Sequence, residues 1–244
     1  MCKLLKFLLA IMLLGTLASG KYITVDSDMS DWTGEDIINL GSRDDPDGGS
    51  YDLKVTFDED NIYLGLDRTS TDRNLGDTSW DDDSFFISFD VDASTGSGAG
   101  SDGYERVNFT GDNRPDKVFY YAGGPVWYES SNWNSTSSEW NWDGWVENGG
   151  TGHSASYGID GDEFAISRDL VGADIDDEVT MWAWMTREGN GFVETGWGVG
   201  SSIYDAENEL IYPPDAGNGI MVPEPFTLGL LGIGSIALRR RRKS

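Results

Sequence analysis

Short runs of alternating apolar and polar residues, separated by turns rich in glycine and aspartate, recur along the middle of this chain. Residues 53–57 alternate as a strand does when one of its faces is buried, and after the turn at 58–60 the run at 61–66 completes a compact hairpin. Residues 179–185 are nearly all apolar, which predicts a central strand. The predicted strands are 22–25, 53–57, 61–66, 84–91, 106–109, 117–121, 154–159, 163–167, 179–185 and 192–195. With one helical turn at 168–172, the pattern favours an all-β fold, an antiparallel β-sandwich.

Residues 127–148 follow neither the period of a strand nor that of a helix, and they are rich in tryptophan, asparagine and serine. They are either a long functional loop or a pair of irregular strands. Aromatic rings can stack on the apolar face of a sugar while neighbouring polar side chains bond its hydroxyls. The candidate ligand-binding residues are Trp127, Tyr128, Trp133, Trp140, Trp142 and Trp145. The alternative is that about half of these side chains fill the core, as we expect of Trp182, Trp184 and Trp197.

The two ends of the chain differ from its middle. Residues 1–20 combine two early lysines, an apolar run and a small-residue end, which is typical of a secretory signal peptide. Near the other end, an apolar stretch at 226–238 is followed by a basic cluster, which would place that end on the cytoplasmic side of a membrane. Thirteen residues are short for a span, but flanking arginines can snorkel. We therefore predict a signal peptide at 1–20, a β-sandwich domain at 21–221 and a sorting or anchor segment with a membrane helix at 222–244.

The C-terminal segment resembles the PEP-CTERM sorting signal in its Pro-Glu-Pro triplet, short apolar helix and terminal arginines. The residues that carry the resemblance are Pro223, Glu224, Pro225, Arg239, Arg240, Arg241 and Arg242. The resemblance implies a partner, a membrane-embedded cysteine protease called exosortase, which cuts near the triplet. It also implies a protein that is anchored in the membrane before processing and then placed at the cell surface or in the extracellular matrix. An ordinary C-terminal anchor is the alternative.

Charge is strongly partitioned, because the predicted domain keeps ten basic residues against 42 acidic ones, a net charge of about −32. Such a field repels phosphate backbones, so nucleic acid is excluded as a partner. Calcium, which takes six to eight oxygen ligands, could neutralise part of it. The candidate calcium ligands are Asp81, Asp83, Asp90, Asp92 and Asp102. The alternative is a solvated acidic surface that keeps a secreted protein soluble.

Four segments occur in an order that resembles the family-9 carbohydrate-binding modules and the DOMON-like domains. They are residues 25–32, 57–64, 80–92 and 163–172. The resemblance implies a jelly-roll, DOMON-like sandwich whose relatives bind sugars, haem or other ligands. Ser27 stands where the group usually has glycine, and Ser167 where it usually has proline, which weakens any transfer of detail.

Catalysis finds little support in the sequence. The one cysteine, Cys2, lies in the predicted signal peptide, which excludes disulfides and thiol chemistry from the domain. His153 is the one histidine and belongs to no recognisable catalytic arrangement. We expect a non-catalytic, exported protein with a carbohydrate-binding-like domain and polysaccharide as its partner. The alternatives are a structural matrix protein that gathers cations without a specific sugar site, and a polysaccharide-acting enzyme.

Overall fold

The computed structural model describes residues 21–34, 36–44, 50–68, 83–91, 96–121, 127–147, 152–157, 161–173, 179–187, 192–199, 203–204, 210–212, 215–217 and 219–222. Within these ranges the chain is built almost wholly of strands, with a 3-10 turn at Met29–Asp31 and one short helix, α1, at Arg168–Val171. The strands are β1 (Ile38–Asp44), β2 (Ser50–Phe57), β3 (Asn61–Arg68), β4 (Asp83–Asp90), β5 (Asn108–Phe109), β6 (Lys117–Tyr121), β7 (Trp127–Asn134), β8 (Glu139–Glu147), β9 (His153–Tyr157), β10 (Gly161–Ser167), β11 (Val179–Arg187), β12 (Phe192–Trp197), β13 (Ile203–Tyr204), β14 (Leu210–Tyr212), β15 (Asp215–Ala216) and β16 (Ile220–Val222).

Most of these strands form two antiparallel sheets. Sheet I has the order β1-β2-β3-β10-β9, and sheet II has the order β12-β11-β4-β6-β7-β8 with β16 also paired to β11. The main hydrophobic core takes Leu64 and Phe164 from sheet I together with Phe85, Phe119 and Met181 from sheet II. Because the sheets share one core, they pack face to face, which confirms the predicted all-β antiparallel sandwich. The finer jelly-roll, DOMON-like assignment stays a prediction.

The predicted signal peptide, 1–20, and the predicted sorting segment, 222–244, apart from its first residue, lie outside the described residues. In the part of the chain that is described, no helix has the length and apolar character needed to cross a membrane. The signal helix and the C-terminal membrane helix therefore stay predictions.

The outer face of sheet I is covered by the N-terminal segment, residues 21–37. Ile23 and Trp32 are buried there against Tyr63 and Ala165. Gly65 permits this close approach, because a Cβ at its position would lie 2.7 Å from Cε2 of Trp32. The prediction of a strand at 22–25 is wrong. The segment is held by side-chain contacts with the outer face of sheet I rather than by pairing with a neighbouring strand.

The outer face of sheet II is partly covered by residues 96–116 and 215–217. Val107, Phe109 and Ala216 from these covering segments pack against Trp182 and Trp184 of β11. Both of these tryptophans are fully buried. Trp197 is equally buried, in the core between the two sheets. The prediction that these three tryptophans fill the core of the sandwich is confirmed for Trp197 and wrong for Trp182 and Trp184, which are buried on the outer face of sheet II beneath the covering segments.

The described part of the predicted segment 127–148, residues 127–147, forms a pair of strands, as the second of the two sequence interpretations predicted. β7 and β8 are antiparallel neighbours, and their register shifts between Ser130 and Ser131. Gly144, opposite Ser130, has a φ of +94°, a conformation that glycine adopts without strain. This β-bulge offsets the aromatic residues on either side of it, which explains why the segment shows no clean period of two.

Candidate functional site

Two rows of directly paired residues run across the outer face of sheet II. In the first row, Phe86 of β4 pairs with Tyr120 of β6, which pairs with Glu129 of β7. In the second row, Val118 of β6 pairs with Ser131 of β7, which pairs with Trp142 of β8. Since directly paired residues point to the same side of a sheet, the two rows bring aromatic, carboxylate and hydroxyl side chains together.

A groove of about 200 Å³ lies over these rows. We call it the sheet II groove. Its lining residues are Phe86, Asp102, Gly103, Tyr104, Val118, Tyr120, Glu129, Ser131, Trp140 and Trp142. Two of them are notably open to solvent, Trp142 at 58% and Tyr104 at 47% of their surfaces. Large exposed aromatic rings on either side of a groove are typical of ligand-binding sites rather than of packing.

The floor of the groove is a stack of aromatic rings. The ring of Phe86 stacks on Tyr120 at 4.5 Å between centroids and on Trp184 at 5.1 Å. The ring of Tyr104 lies across this stack, 6.2 Å from Phe86 and 5.8 Å from Tyr120. Because Phe86 and Trp184 are buried, the floor is fixed by the same packing that stabilises the domain.

Glu129 places a carboxylate at the edge of this floor. Its residue surface is 7% exposed, and the Tyr104 hydroxyl donates to both carboxylate oxygens at 2.9 Å. Burial raises the pKa of the Glu129 carboxyl, against the lowering effects of the Tyr104 hydrogen bond and the Arg106 charge. Burial and the nearby carboxylate also raise the pKa of the Tyr104 hydroxyl, so this tyrosine stays a hydrogen-bond donor at neutral pH.

Asp102 holds the loop that carries Tyr104. Its Oδ1 accepts from the backbone amides of Arg106 at 2.6 Å and Val107 at 2.8 Å, and Oδ2 accepts weakly from Tyr104 at 3.4 Å. Burial raises the pKa of the Asp102 carboxyl, while the amides of Val107 and Arg106 oppose that rise. The role of Asp102 here is to position the loop rather than to offer free oxygens to a ligand.

Trp140 forms one wall of the groove and is itself held in place. Its indole N–H donates to the carbonyl of Ser101 at 2.8 Å, and its ring packs edge-to-face with Trp133 at 5.5 Å. Trp142, two residues further along β8, is far more exposed. Trp140 therefore shapes the groove, whereas Trp142 offers a ring face to whatever enters it.

The structure brings together some of the predicted ligand-binding residues and separates others. Trp140 and Trp142 line the groove, and Trp133 supports it from beside Trp140. Tyr128 is 1% exposed in the core between the sheets, a position that does not fit the predicted role. Trp127 and Trp145 belong to β7 and β8, but their side chains lie outside the described residues.

The remaining lining residues escaped sequence reasoning. Phe86, Tyr120 and Glu129 lie in strands, where successive side chains point to opposite faces of the sheet. Their neighbours in sequence face the core, so the alternation could have indicated that these three residues face outward. Tyr104 belongs to a loop, and no periodic pattern connects it with Glu129, which is 25 residues away in sequence.

The predicted calcium ligands are only partly described. Asp81 and Asp92 lie outside the described residues, and of Asp83 the structure describes the backbone at the start of β4. Asp90 and Asp102 are buried, and Asp102 already accepts backbone hydrogen bonds. Among the described residues, no group of three or more histidine, cysteine, aspartate or glutamate side chains could hold a metal ion. Calcium binding stays a prediction.

His153 is a packing residue. Its ring lies 3.6 Å from the ring of Tyr128 and 5.2 Å from that of Tyr121, and 5% of the residue is exposed. Burial lowers the pKa of the His153 imidazole to about 3, so the ring is neutral at physiological pH. This position is on the inner side of sheet I, and His153 is not among the residues that line the sheet II groove.

Among solved structures, the chain is similar to a family-9 carbohydrate-binding module from Caldicellulosiruptor kristjanssonii, determined in complex with cellotriose. The similarity covers 83% of this chain and 95% of that one, with a TM-score of 0.39 and 11% sequence identity. At these values it establishes neither a shared fold nor a shared ligand. No protein-family model matches the chain, and no curated protein matches it.

Proposed function

We propose that this chain is an exported, non-catalytic surface or matrix protein whose β-sandwich binds carbohydrate in the sheet II groove. The observation that carries the proposal is the placement of Trp142 and Tyr104, two exposed aromatic rings that border a groove with a fixed aromatic floor. A sugar ring presents an apolar face to such rings and hydroxyl groups at its rim. Glu129 and Ser131 lie where those hydroxyls could be bonded.

The proposal separates the residues that hold the groove from those that contact a ligand. Trp140 and Asp102 are engaged in hydrogen bonds to the backbone, and Phe86 is engaged in ring stacking. Trp142 offers a ring face to a ligand, because more than half of its surface is exposed. A binding site that is assembled before the ligand arrives loses less conformational entropy on binding.

The hydrogen bonds that the acidic residues of the groove already accept support a non-catalytic role. Glycoside hydrolysis needs two carboxyl groups placed on either side of the scissile bond. In the sheet II groove, Asp102 accepts hydrogen bonds from its own loop, and Glu129 accepts from Tyr104. Because Asp102 is taken up by its own loop, Glu129 has no second carboxylate in the groove with which to form an acid–base pair.

Export and sorting form the second part of the proposal. They are supported by the sequence of the terminal segments, with the basic and apolar residues of 1–20 and the Pro-Glu-Pro and arginine block of 223–244. We propose that exosortase removes the C-terminal segment. Mass spectrometry of the protein from the surface of an exosortase-containing host tests this, and an intact C-terminus that ends in the arginine block would contradict it.

The sugar-binding part is tested by isothermal titration calorimetry against a panel of neutral, amino and uronic oligosaccharides, with the Trp142→Ala variant. We expect at least one oligosaccharide to bind the native domain, and Trp142→Ala to lose that binding with an unchanged melting temperature, because the ring is largely outside the packing. Tyr22→Ala is the matched control, since Tyr22 is 70% exposed and lies against Tyr63, away from the groove. Binding that survives Trp142→Ala would show that the groove is not the site.

A second candidate function is a structural matrix protein that gathers cations. The net charge of about −32 over the predicted domain favours it. In that case polysaccharide would be retained only in the presence of divalent cations, and Trp142→Ala would leave the retention unchanged. The same titrations, repeated with and without calcium, distinguish the two functions.

A further inference from the structure

We propose that the sheet II groove selects glycans that carry a free amino group, such as a partly deacetylated amino-sugar polymer, and that Glu129 recognises the ammonium. The inference rests on the proposed carbohydrate-binding function and names the ligand class within it. It follows from the charge, the ring faces and the hydrogen bonds of the groove.

The Glu129 carboxylate is buried and has a neutral hydrogen-bond donor. The ion pairs Lys54–Asp67 and Arg68–Asp162 lie elsewhere in the domain, and Glu129 belongs to neither. Its hydrogen-bond donor is the neutral hydroxyl of Tyr104. A carboxylate that is withdrawn from water gains more from a charged donor than one on the open surface. The Arg106 charge lowers the pKa of the Glu129 carboxyl but does not cancel the rise that burial causes, so a cation in direct contact would stabilise the ionised carboxylate further.

Aromatic rings line the groove together with the Glu129 carboxylate. Aromatic faces carry partial negative charge and attract cations that lie within about 6 Å of the ring centroid. The loop already shows this attraction, because the Arg106 guanidinium lies 4.8 Å from the ring of Tyr104 and 5.2 Å from that of Phe86. On the opposite side of the groove, Trp142 exposes its ring. An ammonium on a sugar stacked against Trp142 would meet both a ring face and the Glu129 carboxylate.

The predicted domain as a whole produces a negative electrostatic field. A net charge of about −32 attracts a polycation over a distance of roughly a Debye length and repels a polyanion in the same way. Uronic-acid polymers would also bring carboxylates close to Glu129 and Asp102, which both line the groove. Neutral glycans are neither attracted nor repelled by this field, so ring stacking and hydrogen bonds to their hydroxyls would hold them without help from it. The expected order of affinity is therefore amino sugar, then neutral sugar, then uronic acid.

Three oligosaccharides with the same β-1,4 linkage test the inference: the tetramers of glucosamine, N-acetylglucosamine and glucose. In calorimetry at pH 6 and low salt, we expect the glucosamine tetramer to bind the native domain about tenfold tighter than the other two. Glu129→Gln should remove that preference, so that the glucosamine tetramer binds the variant no more tightly than the glucose tetramer does. Glu139→Gln is the matched control, since Glu139 is an exposed glutamate at the start of β8 outside the groove, and it should keep the preference.

The acid–base behaviour gives an independent readout. The preference should fall at low pH as Glu129 is protonated, and again at high pH as the sugar amine loses its proton. Tyr104 donates a hydrogen bond to Glu129, and the Arg106 charge lowers the pKa of the Glu129 carboxyl. These two neighbours therefore influence the pH at which the preference is lost on the acidic side. Tyr104→Phe removes the competing donor, so we expect this variant to retain the preference for the glucosamine tetramer.

Two results would overturn the inference while leaving the proposed function intact. One is equal or tighter binding of the glucose or N-acetylglucosamine tetramer to the native domain. The other is a preference for the glucosamine tetramer that survives in a folded Glu129→Gln variant, as judged by an unchanged melting temperature. If no oligosaccharide in the wider panel binds, the proposed carbohydrate-binding function fails together with the inference.

Discussion

Replacing Glu163 with alanine should release the N-terminal segment from the outer face of sheet I. Glu163 lies on β10 with no exposed surface, and it accepts three hydrogen bonds from that segment. Its Oε1 accepts from the indole N–H of Trp32 at 2.6 Å, and its Oε2 accepts from the backbone amides of Asp26, at 2.8 Å, and Ser27. Alanine removes all three acceptor interactions at once.

The size of the effect follows from what the donors can do afterwards. Burial raises the pKa of the Glu163 carboxyl in spite of its hydrogen bonds, so the negative charge itself adds little to stability. The loss comes from the donors. The indole N–H of Trp32, a residue only 2% exposed, would have no acceptor, while the amides of Asp26 and Ser27 are part-buried and can regain water. A buried donor without an acceptor costs about 1–3 kcal/mol, so we expect a total loss of about 3 kcal/mol.

Urea denaturation of the domain measures this loss directly, and a melting temperature lowered by roughly 6–12 °C should accompany it. Hydrogen exchange should rise in residues 22–34 before the rest of the sandwich opens. Glu139→Ala, an exposed glutamate, is the matched control and should change the free energy of unfolding by less than about 0.5 kcal/mol. If Glu163→Ala costs no more than this control, the segment is not held by the carboxylate and the reasoning fails.

Three further predictions concern pH, packing and metal. Burial lowers the pKa of His153 to about 3, so below pH 6.5 the unfolded chain binds a proton that the folded chain does not. The free energy of unfolding should therefore decrease as pH falls from 6.5 toward 3, by at most about 5 kcal/mol. Because the chain has a single histidine, NMR can follow the titration of its imidazole directly, and a midpoint near 6.5 would contradict the prediction. Gly65→Ala should cost about 1–3 kcal/mol in urea denaturation because its Cβ would collide with Trp32, whereas Gly100→Ala, with open space around it, should cost almost nothing. If calcium neutralises part of the acidic surface, a chelator should lower the melting temperature, and an unchanged value would remove the calcium hypothesis.

The elements predicted correctly are those whose pattern is set by a buried face. β6 spans Lys117–Tyr121, as its apolar run predicted, and β11 lies between two neighbours, as expected of a nearly all-apolar strand. The hairpin between β2 and β3 turns at Asp58, whose Oδ1 accepts from the amides of Asp60 and Asn61 at 2.9 and 2.7 Å. In each case the information is local, so a single sequence is enough to find it.

The elements that escaped prediction depend on partners far away in sequence. β1 was missed because Ile38–Asp44 is an edge strand whose residues are largely exposed, so burial imposes little alternation on it. The segment at 22–25 alternates as a strand would, but Ile23 buries itself against sheet I through side-chain contact. The residues that follow it, Asp26, Ser27 and Trp32, donate to Glu163, more than 130 residues further along the chain. No pattern within either segment carries that information.

The candidate site shows the same division. Composition drew attention to the tryptophans of 127–148, and two of them, Trp140 and Trp142, line the groove. The bulge in β8, where Asp143 is the extra residue, obscured the alternation of that strand. The opposite orientations of Tyr128, toward the core, and Glu129, toward the groove, became evident only from the pairing of β7 within sheet II. Tyr104 could be associated with Glu129 only once the fold had brought its loop over sheet II.

The position of the groove follows from where the cover of sheet II ends. Residues 96–116 and 215–217 bury the large rings of β11, and the cover reaches as far as Tyr104. Beyond it, β7 and β8 carry the outer face onward, and Trp142 is left with most of its surface in water. The core between the sheets does not include that ring. A largely exposed tryptophan in the same groove as a buried carboxylate is the arrangement that the proposed sugar site would use.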